Sequence, residues 1–190
     1  MSKATIFGKG NMGSAIAGIL SAGGAEVDHI DTSSEHAAVT GDLVVLAVPY
    51  SAFGEIVTKY ADQLAGKVVV DITNPVDFQT FQLAVAADSS AAAELATLLP
   101  ASKVLKAFNT NFAGSLTSKT VGQNPTTVLI AGDDTDAKNL LATLVADAGV
   151  DAIDAGALST ARELEAIGYL QLQLAFGKKI GFTGGFSVAK

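Results

Sequence analysis

Three glycines near the amino terminus stand at the spacing that dinucleotide-binding loops use. In the stretch I-F-G-K-G-N-M-G they follow an apolar run at 4–7 and precede a segment of helical spacing at 11–22. The first glycine of such a loop allows a tight turn, the second lets the backbone approach a pyrophosphate, and the third lets helix and strand pack closely. The amides at the start of the helix then face the negative charge. We therefore predict a pyrophosphate site made of Gly8, Lys9, Gly10, Asn11, Met12 and Gly13.

An acidic residue at the end of the second predicted strand affects the choice of coenzyme. Asp31 lies 18 residues after Gly13, where a carboxylate accepts from a ribose 2′-hydroxyl and favours NAD(H). Thr32 and Ser33 instead offer hydroxyl donors, and Lys9 extends toward the same corner, which would suit the 2′-phosphate of NADP(H). These residues leave NAD(H) and NADP(H) both open.

Small and polar turns follow three further predicted strands. Ligands of open parallel sheets bind outside the carboxyl ends of the strands, so these turns should line the rest of the coenzyme site. The turn residues are Val48, Pro49, Thr73, Asn74, Pro75, Ala107, Phe108 and Asn109. In the last of these turns, Asn109 or the next residue, Thr110, is expected to form a hydrogen bond with the nicotinamide carboxamide. No further catalytic set is evident.

Hydride transfer to a flavin-like ring needs little acid–base chemistry from a protein, because the cofactors carry the reaction. A carbonyl or imine substrate would instead require a proton donor. The residues that could donate that proton are Tyr50, Tyr169 and Thr110. A dinucleotide-binding redox sensor without turnover is the third possibility.

The elements that must position these residues alternate between strands and helices. Strands are predicted at 4–7, 26–31, 43–48, 67–73, 103–108, 126–131 and 151–154, and helices at 11–22, 51–64, 91–99, 132–148 and 158–176. Residues 76–88 are predicted as loop with irregular helix. This order predicts a doubly wound, mostly parallel sheet in a three-layer α/β/α Rossmann fold, with a C-terminal helix and tail. We expect residues 1–190 to form a single domain.

Composition excludes several classes of function. The net charge of −7 is unsuited to a nucleic-acid backbone, and the absence of cysteine removes thiolate chemistry and disulfides. The longest apolar run, 43–49, is too short to span a bilayer, and the first strand begins too early for a signal peptide. His29 and His36 lack the further ligands of a metal site, so no metal is predicted. We expect a cytoplasmic protein with a small-molecule redox substrate.

The last predicted helix is apolar over much of its circumference, more than one sheet face would bury. We therefore expect a homodimer that uses residues 156–190, with Phe182 and Phe186 of the tail positioned to close over a pocket. The charged residues of this helix, Arg162, Glu163 and Glu165, are predicted to be exposed or paired within the helix. The alternative is that Arg162 lies near the edge of the substrate site or in a subunit contact.

Five segments together resemble the 8-hydroxy-5-deazaflavin:NADP oxidoreductase family. They are I-F-G-K-G-N-M-G, L-A-V-P-Y, D-I-T-N-P, V-L-K-A-F-N-T and D-A-G-A-L-S-T-A-R-E-L-E. The same pattern is similar to the cytosolic domain of six-transmembrane metalloreductases, and its first half to pyrroline-5-carboxylate reductase. The resemblance implies an NADP(H)-binding Rossmann domain that passes hydride to or from a flavin or deazaflavin. Members of the family commonly carry Gly-Ser-Arg or Gly-Ser-Lys at 31–33, where this sequence has Asp31-Thr32-Ser33.

Overall fold

The structure, a computed structural model, describes residues 2–34 and 37–189. Its strands are β1 (Lys3–Phe7), β2 (Glu26–Ile30), β3 (Leu43–Leu46), β4 (Val68–Asp71), β5 (Val76–Asp77), β6 (Gln82–Leu83), β7 (Lys103–Lys106), β8 (Thr120–Val121), β9 (Asn124–Pro125), β10 (Thr127–Gly132) and β11 (Asp151–Gly156). Its helices are α1 (Asn11–Ala22), α2 (Phe53–Leu64), α3 (Ala91–Leu98), α4 (Ala113–Ser118), α5 (Thr135–Asp147) and α6 (Ala161–Phe176). Short 3₁₀ turns at Tyr50–Ala52 and Leu158–Thr160 precede α2 and α6.

Seven strands form one sheet in the order β11-β10-β7-β4-β3-β1-β2. Neighbouring strands are parallel except β7 and β10, which pair antiparallel. The prediction of a doubly wound, mostly parallel sheet is therefore confirmed.

Both faces of the sheet are covered because its strands are apolar on both sides. On β3, Leu43 and Val45 pack with α1 and α5, whereas Val44 and Leu46 pack with α2 and α3. All four residues are buried. This alternation gives the three layers of the fold, with a separate apolar core on each side of the sheet.

The chain reverses its direction of travel across the sheet at β1. From β1 it moves outward to β2, then returns to the other side of β1 to form β3 and β4. In open α/β sheets the crevice at such a switch point is where ligands bind. Here that crevice lies between the turn after β1 and the turn after β3.

The segment between β4 and α3 differs from its prediction. Instead of irregular helix, residues 76–83 contain the short antiparallel pair β5–β6. Asp77 accepts hydrogen bonds from the amides of Gln79 and Thr80, which closes the turn between the two strands. This local side-chain bonding competes with helix formation.

The tail after α6 folds back over the start of α4. Gly114 permits this crossing, because a β-carbon there would lie 2.8 Å from the carbonyl oxygen of Phe182. Within the described residues, no helix combines the length and apolarity that crossing a membrane requires.

Candidate functional site

The glycine loop joins β1 to α1 in the switch-point crevice. Gly8 has φ +104° and packs against β3 so closely that a β-carbon would lie 2.3 Å from the carbonyl oxygen of Ala47. Gly13 packs equally closely on the loop, where a β-carbon would lie 2.5 Å from the Gly8 carbonyl oxygen. These contacts hold the start of α1 directly against the sheet edge.

The N-cap of α1 leaves the first helical amides accessible. Gly10 caps the helix in an extended conformation and, having no side chain, offers it no capping oxygen. A β-carbon on Gly10 would meet no protein atom within 4 Å. The first-turn amides have no partners inside a helix, so they remain able to bind an anion that approaches over Gly10.

A cavity of about 360 Å³ opens beside this loop, at the end of β2. Lys9 and Asp31 lie at its edge, with Lys9 Nζ 2.8 Å from Asp31 Oδ2. Asp31 Oδ1 also accepts hydrogen bonds from the Ser33 amide, the Ser33 hydroxyl and the Ser34 hydroxyl. Lys9, followed by these serine hydrogen bonds, holds the pKa of Asp31 well below its usual range. Val48 lines the same cavity, whereas Pro49 is exposed beside it.

Two asparagines join the turns after β4 and β7. Asn74 Nδ2 donates to the Asn109 carbonyl oxygen (2.8 Å), and Asn109 Nδ2 donates to Asn74 Oδ1 (2.9 Å) and to the Leu164 carbonyl oxygen (2.8 Å). A carbonyl can only accept, so Leu164 fixes which way the Asn109 amide faces. Gly168 allows α6 to approach this pair, because a β-carbon there would lie 2.2 Å from Asn74 Oδ1.

Two buried oxygens beside this pair have no hydrogen-bond partner among the described residues. They are Asn109 Oδ1 and Thr73 Oγ1. Buried polar atoms are normally satisfied, so each such atom calls for a ligand or water. An amide oxygen and a hydroxyl can together bind a carboxamide group. The residues present therefore fit a nicotinamide coenzyme: Thr73 and Asn109 carry a donor and an acceptor of the kind that a carboxamide needs, and Gly10 leaves the approach to the first-turn amides of α1 open.

The remaining turn residues that were predicted to line the coenzyme site are either buried in the core or lie at a different cavity. Ala107 and Phe108 are fully buried in the core, and Pro75 is buried as well. Phe108 has φ +61°, a conformation that a non-glycine residue adopts only under local constraint. The turn that presents Asn109 is thus strained, as functional turns often are. Thr110 instead lines a separate cavity with Thr127 and Phe186.

A second cavity, of about 670 Å³, lies on the other side of the glycine loop. The start of α1 supplies Asn11 and Met12 to its lining, α4 and its N-cap supply Phe112 and Gly114, and the tail supplies Phe182. The lining is therefore largely apolar and directly adjoins the loop.

Aromatic rings extend from this cavity along the surface. Four phenylalanines make successive edge-to-face contacts with ring centroids 5.2–5.7 Å apart. We call these residues the aromatic wall: Phe81, Phe112, Phe176 and Phe182. Phe176 and Phe182 are 54% and 53% exposed, so the wall presents apolar surface to solvent. Exposed apolar surface of this kind marks binding sites.

A buried charge cluster lies behind Thr73, and the sequence reasoning missed it. Lys106 Nζ is 2.6 Å from Asp71 Oδ2 and 2.7 Å from Glu165 Oε1. None of the three side chains is more than 2% exposed. The prediction that Glu165 is exposed or paired within its helix was therefore wrong, since its partner lies on β7. The available signal was an opposite pair, Asp71 and Lys106, inside two otherwise apolar strands.

The candidate proton donors have other partners. Tyr50 donates to Glu94, and burial followed by this bond raises the pKa of Tyr50 to about 12. Tyr169 donates to the Phe81 carbonyl oxygen at 2.8 Å. A phenol with a raised pKa is a weaker acid, so Tyr50 is poorly suited to protonate a substrate.

The other polar residues that the sequence analysis considered, as far as the structure describes them, do not come together in one site. His29 Nδ1 lies 3.0 Å from the Gly8 carbonyl oxygen, and His36 lies outside the described residues. Arg162 contacts the Ala87 carbonyl oxygen and Glu163. Within 2–34 and 37–189, no three histidine or acidic side chains stand together as metal ligands would.

The sequence of this chain is also similar to those of known proteins. The family described as NADP oxidoreductase, coenzyme F420-dependent, matches residues 25–75. The F420-dependent NADP reductase of Methanocaldococcus jannaschii is 32% identical over 171 residues, which cover 87% of this chain and 76% of that protein. The chain belongs to the F420-dependent NADP reductase family. The predicted oxidoreductase class and family resemblance are therefore confirmed.

Two further relatives extend this comparison. A structure from Arthrobacter sp. FB24, named as a candidate F420-dependent NADP reductase, superposes with a TM-score of 0.86 at 25% identity and full coverage of both chains. The rat metalloreductase STEAP3 is 36% identical over 136 residues, which cover 72% of this chain. The matched part is 27% of STEAP3, so the F420-dependent NADP reductase family is the better guide to the whole chain.

Proposed function

We propose that this protein binds NADP(H) and transfers hydride between its nicotinamide and the deazaflavin ring of coenzyme F420 or a similar flavin. The observation that carries this proposal is the pair of unpartnered oxygens, Thr73 Oγ1 and Asn109 Oδ1, in the turns after β4 and β7. When bound, NADPH supplies a hydride, which is two electrons and one proton, and the acceptor ring takes one further proton from water. The name of the M. jannaschii relative supports this choice of substrates.

The chain's own contribution is to bind and orient. The first-turn amides of α1 hold the pyrophosphate where Gly10 leaves the approach open. Asn109 Oδ1 accepts from the carboxamide nitrogen, because both Asn109 side-chain hydrogens are already used. The Thr73 hydroxyl donates to the carboxamide oxygen. Together these contacts fix which face of the nicotinamide is open to the acceptor.

Lys9 supplies the positive charge for the 2′-phosphate. Its side chain is 56% exposed, so the ammonium can turn from Asp31 toward a ligand, while Asp31 remains bonded to Ser33 and Ser34. Thr32 is exposed at the same corner and offers a further hydroxyl donor, whereas the Ser33 hydroxyl donates to Asp31. This arrangement replaces the basic residue that the family commonly carries in this turn.

The acceptor ring lies against the aromatic wall. Phe81 lies in the turn between β5 and β6, and Phe112 lies in the loop between β7 and α4. The cavity of about 670 Å³ that Phe112 and Phe182 line has room for a planar tricyclic ring. Aromatic side chains favour such rings through stacked or edge-to-face contacts.

A homodimer is the proposed assembly. Four apolar side chains from α6 and the tail form what we call the α6–tail patch: Ile167, Leu170, Phe186 and Val188. Their exposed fractions are 37%, 47%, 47% and 40%. A second copy of the same patch would remove this surface from water, and cyclic dimers are the commonest protein assembly.

The experiment is an assay of NADPH oxidation with oxidised F420, FMN, a cyclic imine or no acceptor. We expect turnover with F420 and slower turnover with FMN. The Phe182→Leu variant should raise the KM for F420 and leave the Kd for NADPH unchanged. Turnover with the imine alone would favour an imine reductase, and NADPH binding without any turnover would favour a redox sensor.

A further inference from the structure

The buried charge cluster carries an excess of negative charge. It consists of one ammonium, Lys106, and two carboxylates, Asp71 and Glu165. Burial raises the pKa of Glu165, and the Lys106 ion pair opposes that rise. With both carboxylates ionised and the Lys106 ammonium protonated, the cluster has a net charge of −1, which the amides of Ala91 and Ala92 at the start of α3 offset in part.

The cluster lies immediately behind the nicotinamide end of the site. Lys106 Nζ donates to the Thr73 carbonyl oxygen at 2.7 Å, and Asp71 Oδ1 accepts from the Thr73 amide at 2.7 Å. Thr73 in turn carries one of the two unpartnered oxygens. Because the cluster is buried, water and salt screen its charge much less than they screen a surface charge, so the charge can act on a ligand on the other side of Thr73.

The two redox forms of the coenzyme differ in charge at the same end. The oxidised nicotinamide ring carries a positive charge, and the reduced ring is neutral. A nearby negative charge attracts the first and has little effect on the second.

We infer that the Lys106–Asp71–Glu165 cluster favours oxidised over reduced coenzyme on the protein, and so drives hydride from NADPH toward the acceptor. This inference rests on the proposed function. Asp71 and Glu165 do not touch the coenzyme and act on the nicotinamide through their field. They are therefore positioning residues rather than catalytic residues. Their negative charge stabilises only the oxidised coenzyme, because only the oxidised nicotinamide ring is positively charged.

Tyr50 is a second group on which the field of the cluster acts. Burial and Glu94 contribute most to the raised pKa of Tyr50, but Glu165 and Asp71 add to it without contacting the phenol. Tyr50 follows β3, the strand next to β4, so the field acts across the carboxyl edge of the sheet.

The test is the ratio of the Kd for NADP⁺ to the Kd for NADPH, measured by calorimetry on the intact protein at slightly alkaline pH. Glu165→Gln should raise this ratio by about fivefold, the order that Coulomb's law gives for unit charges within ~15 Å at an effective dielectric constant of ~20. Glu163→Gln is the matched control, because Glu163 lies on the same helix, is exposed and pairs only with Arg162 among the described residues. It should leave the ratio unchanged.

A purely structural role would change both affinities by the same factor, and that result, or an unchanged ratio, would overturn the inference. Asp71→Asn is the second variant and should raise the ratio in the same direction, whether or not Glu165→Gln folds. The phenolate titration of Tyr50 should also move to lower pH in Glu165→Gln. If the wild-type protein bound neither coenzyme form, the proposed function itself would fail. That result differs from an unchanged ratio of Kd values, which would overturn only the inference about the charge cluster.

Discussion

Asn74 and Asn109 bind each other across the ends of β4 and β7: the Asn109 side-chain amide donates to Asn74 Oδ1, and the Asn74 side-chain amide donates to the Asn109 backbone carbonyl. The bonds to Asn74 Oδ1 and to the Leu164 carbonyl use both hydrogens of the Asn109 side chain and leave its oxygen as the only unused group of that side chain within the described residues. In the proposed complex, this oxygen is the acceptor of fixed orientation that faces the nicotinamide. Everything proposed about the reaction depends on that orientation.

Thr73→Val should weaken NADPH binding about fivefold without lowering stability, because the lost hydroxyl has no partner among the described residues. Thr5→Val provides the opposite control. Thr5 Oγ1 accepts from the Gly41 amide inside the core, so its loss should cost about 1–3 kcal/mol of unfolding free energy and leave the Kd unchanged. Calorimetry and urea denaturation of both variants test this. Equal effects of the two substitutions on coenzyme affinity would contradict it.

Lys9→Ala should raise the Kd for NADPH roughly tenfold and change the Kd for NADH little, because only NADPH carries the 2′-phosphate. The substitution also leaves Asp31 without its cation, which adds repulsion. Lys3→Ala is a suitable control, since Lys3 pairs with Glu26 at the opposite end of the same two strands. Equal losses of affinity for both coenzymes would show that Lys9 does not contact the phosphate.

Leu170→Lys should convert the protein from dimer to monomer, because it places a charge in the centre of the α6–tail patch. Leu98→Lys is the matched control on α3, where Leu98 is similarly exposed at 49% but lies outside the patch. Light scattering of the two variants measures the difference. A wild-type protein that is already monomeric would disprove the proposed assembly.

The sequence allowed the fold to be predicted because its strands are continuous apolar runs between turn residues. The α1 bounds agree with the prediction, since glycines delimit that helix at both ends. The β5–β6 pair was missed because the side chain of Asp77, rather than any periodicity, sets its turn.

The sequence predicted the glycine loop but not the polar network beneath it. Lys106, Asp71 and Glu165 come from three elements far apart in the chain, and only the sheet order brings them together. The same holds for Asn109 and the Leu164 carbonyl, which α6 delivers from 55 residues away. A charged residue at the end of an apolar strand can be seen in the sequence, but the partner that it meets across the fold has no local sequence signal.

The most direct test of the account is a calorimetric titration of the Gly10→Ala variant with NADPH. The backbone at Gly10 suits any residue, and an added β-carbon would touch no protein atom within 4 Å, so the variant should melt at the wild-type temperature. If a pyrophosphate approaches over Gly10, the methyl group blocks it, and no heat of NADPH binding should appear. A Gly10→Ala variant that binds NADPH as tightly as the wild-type protein would contradict the account.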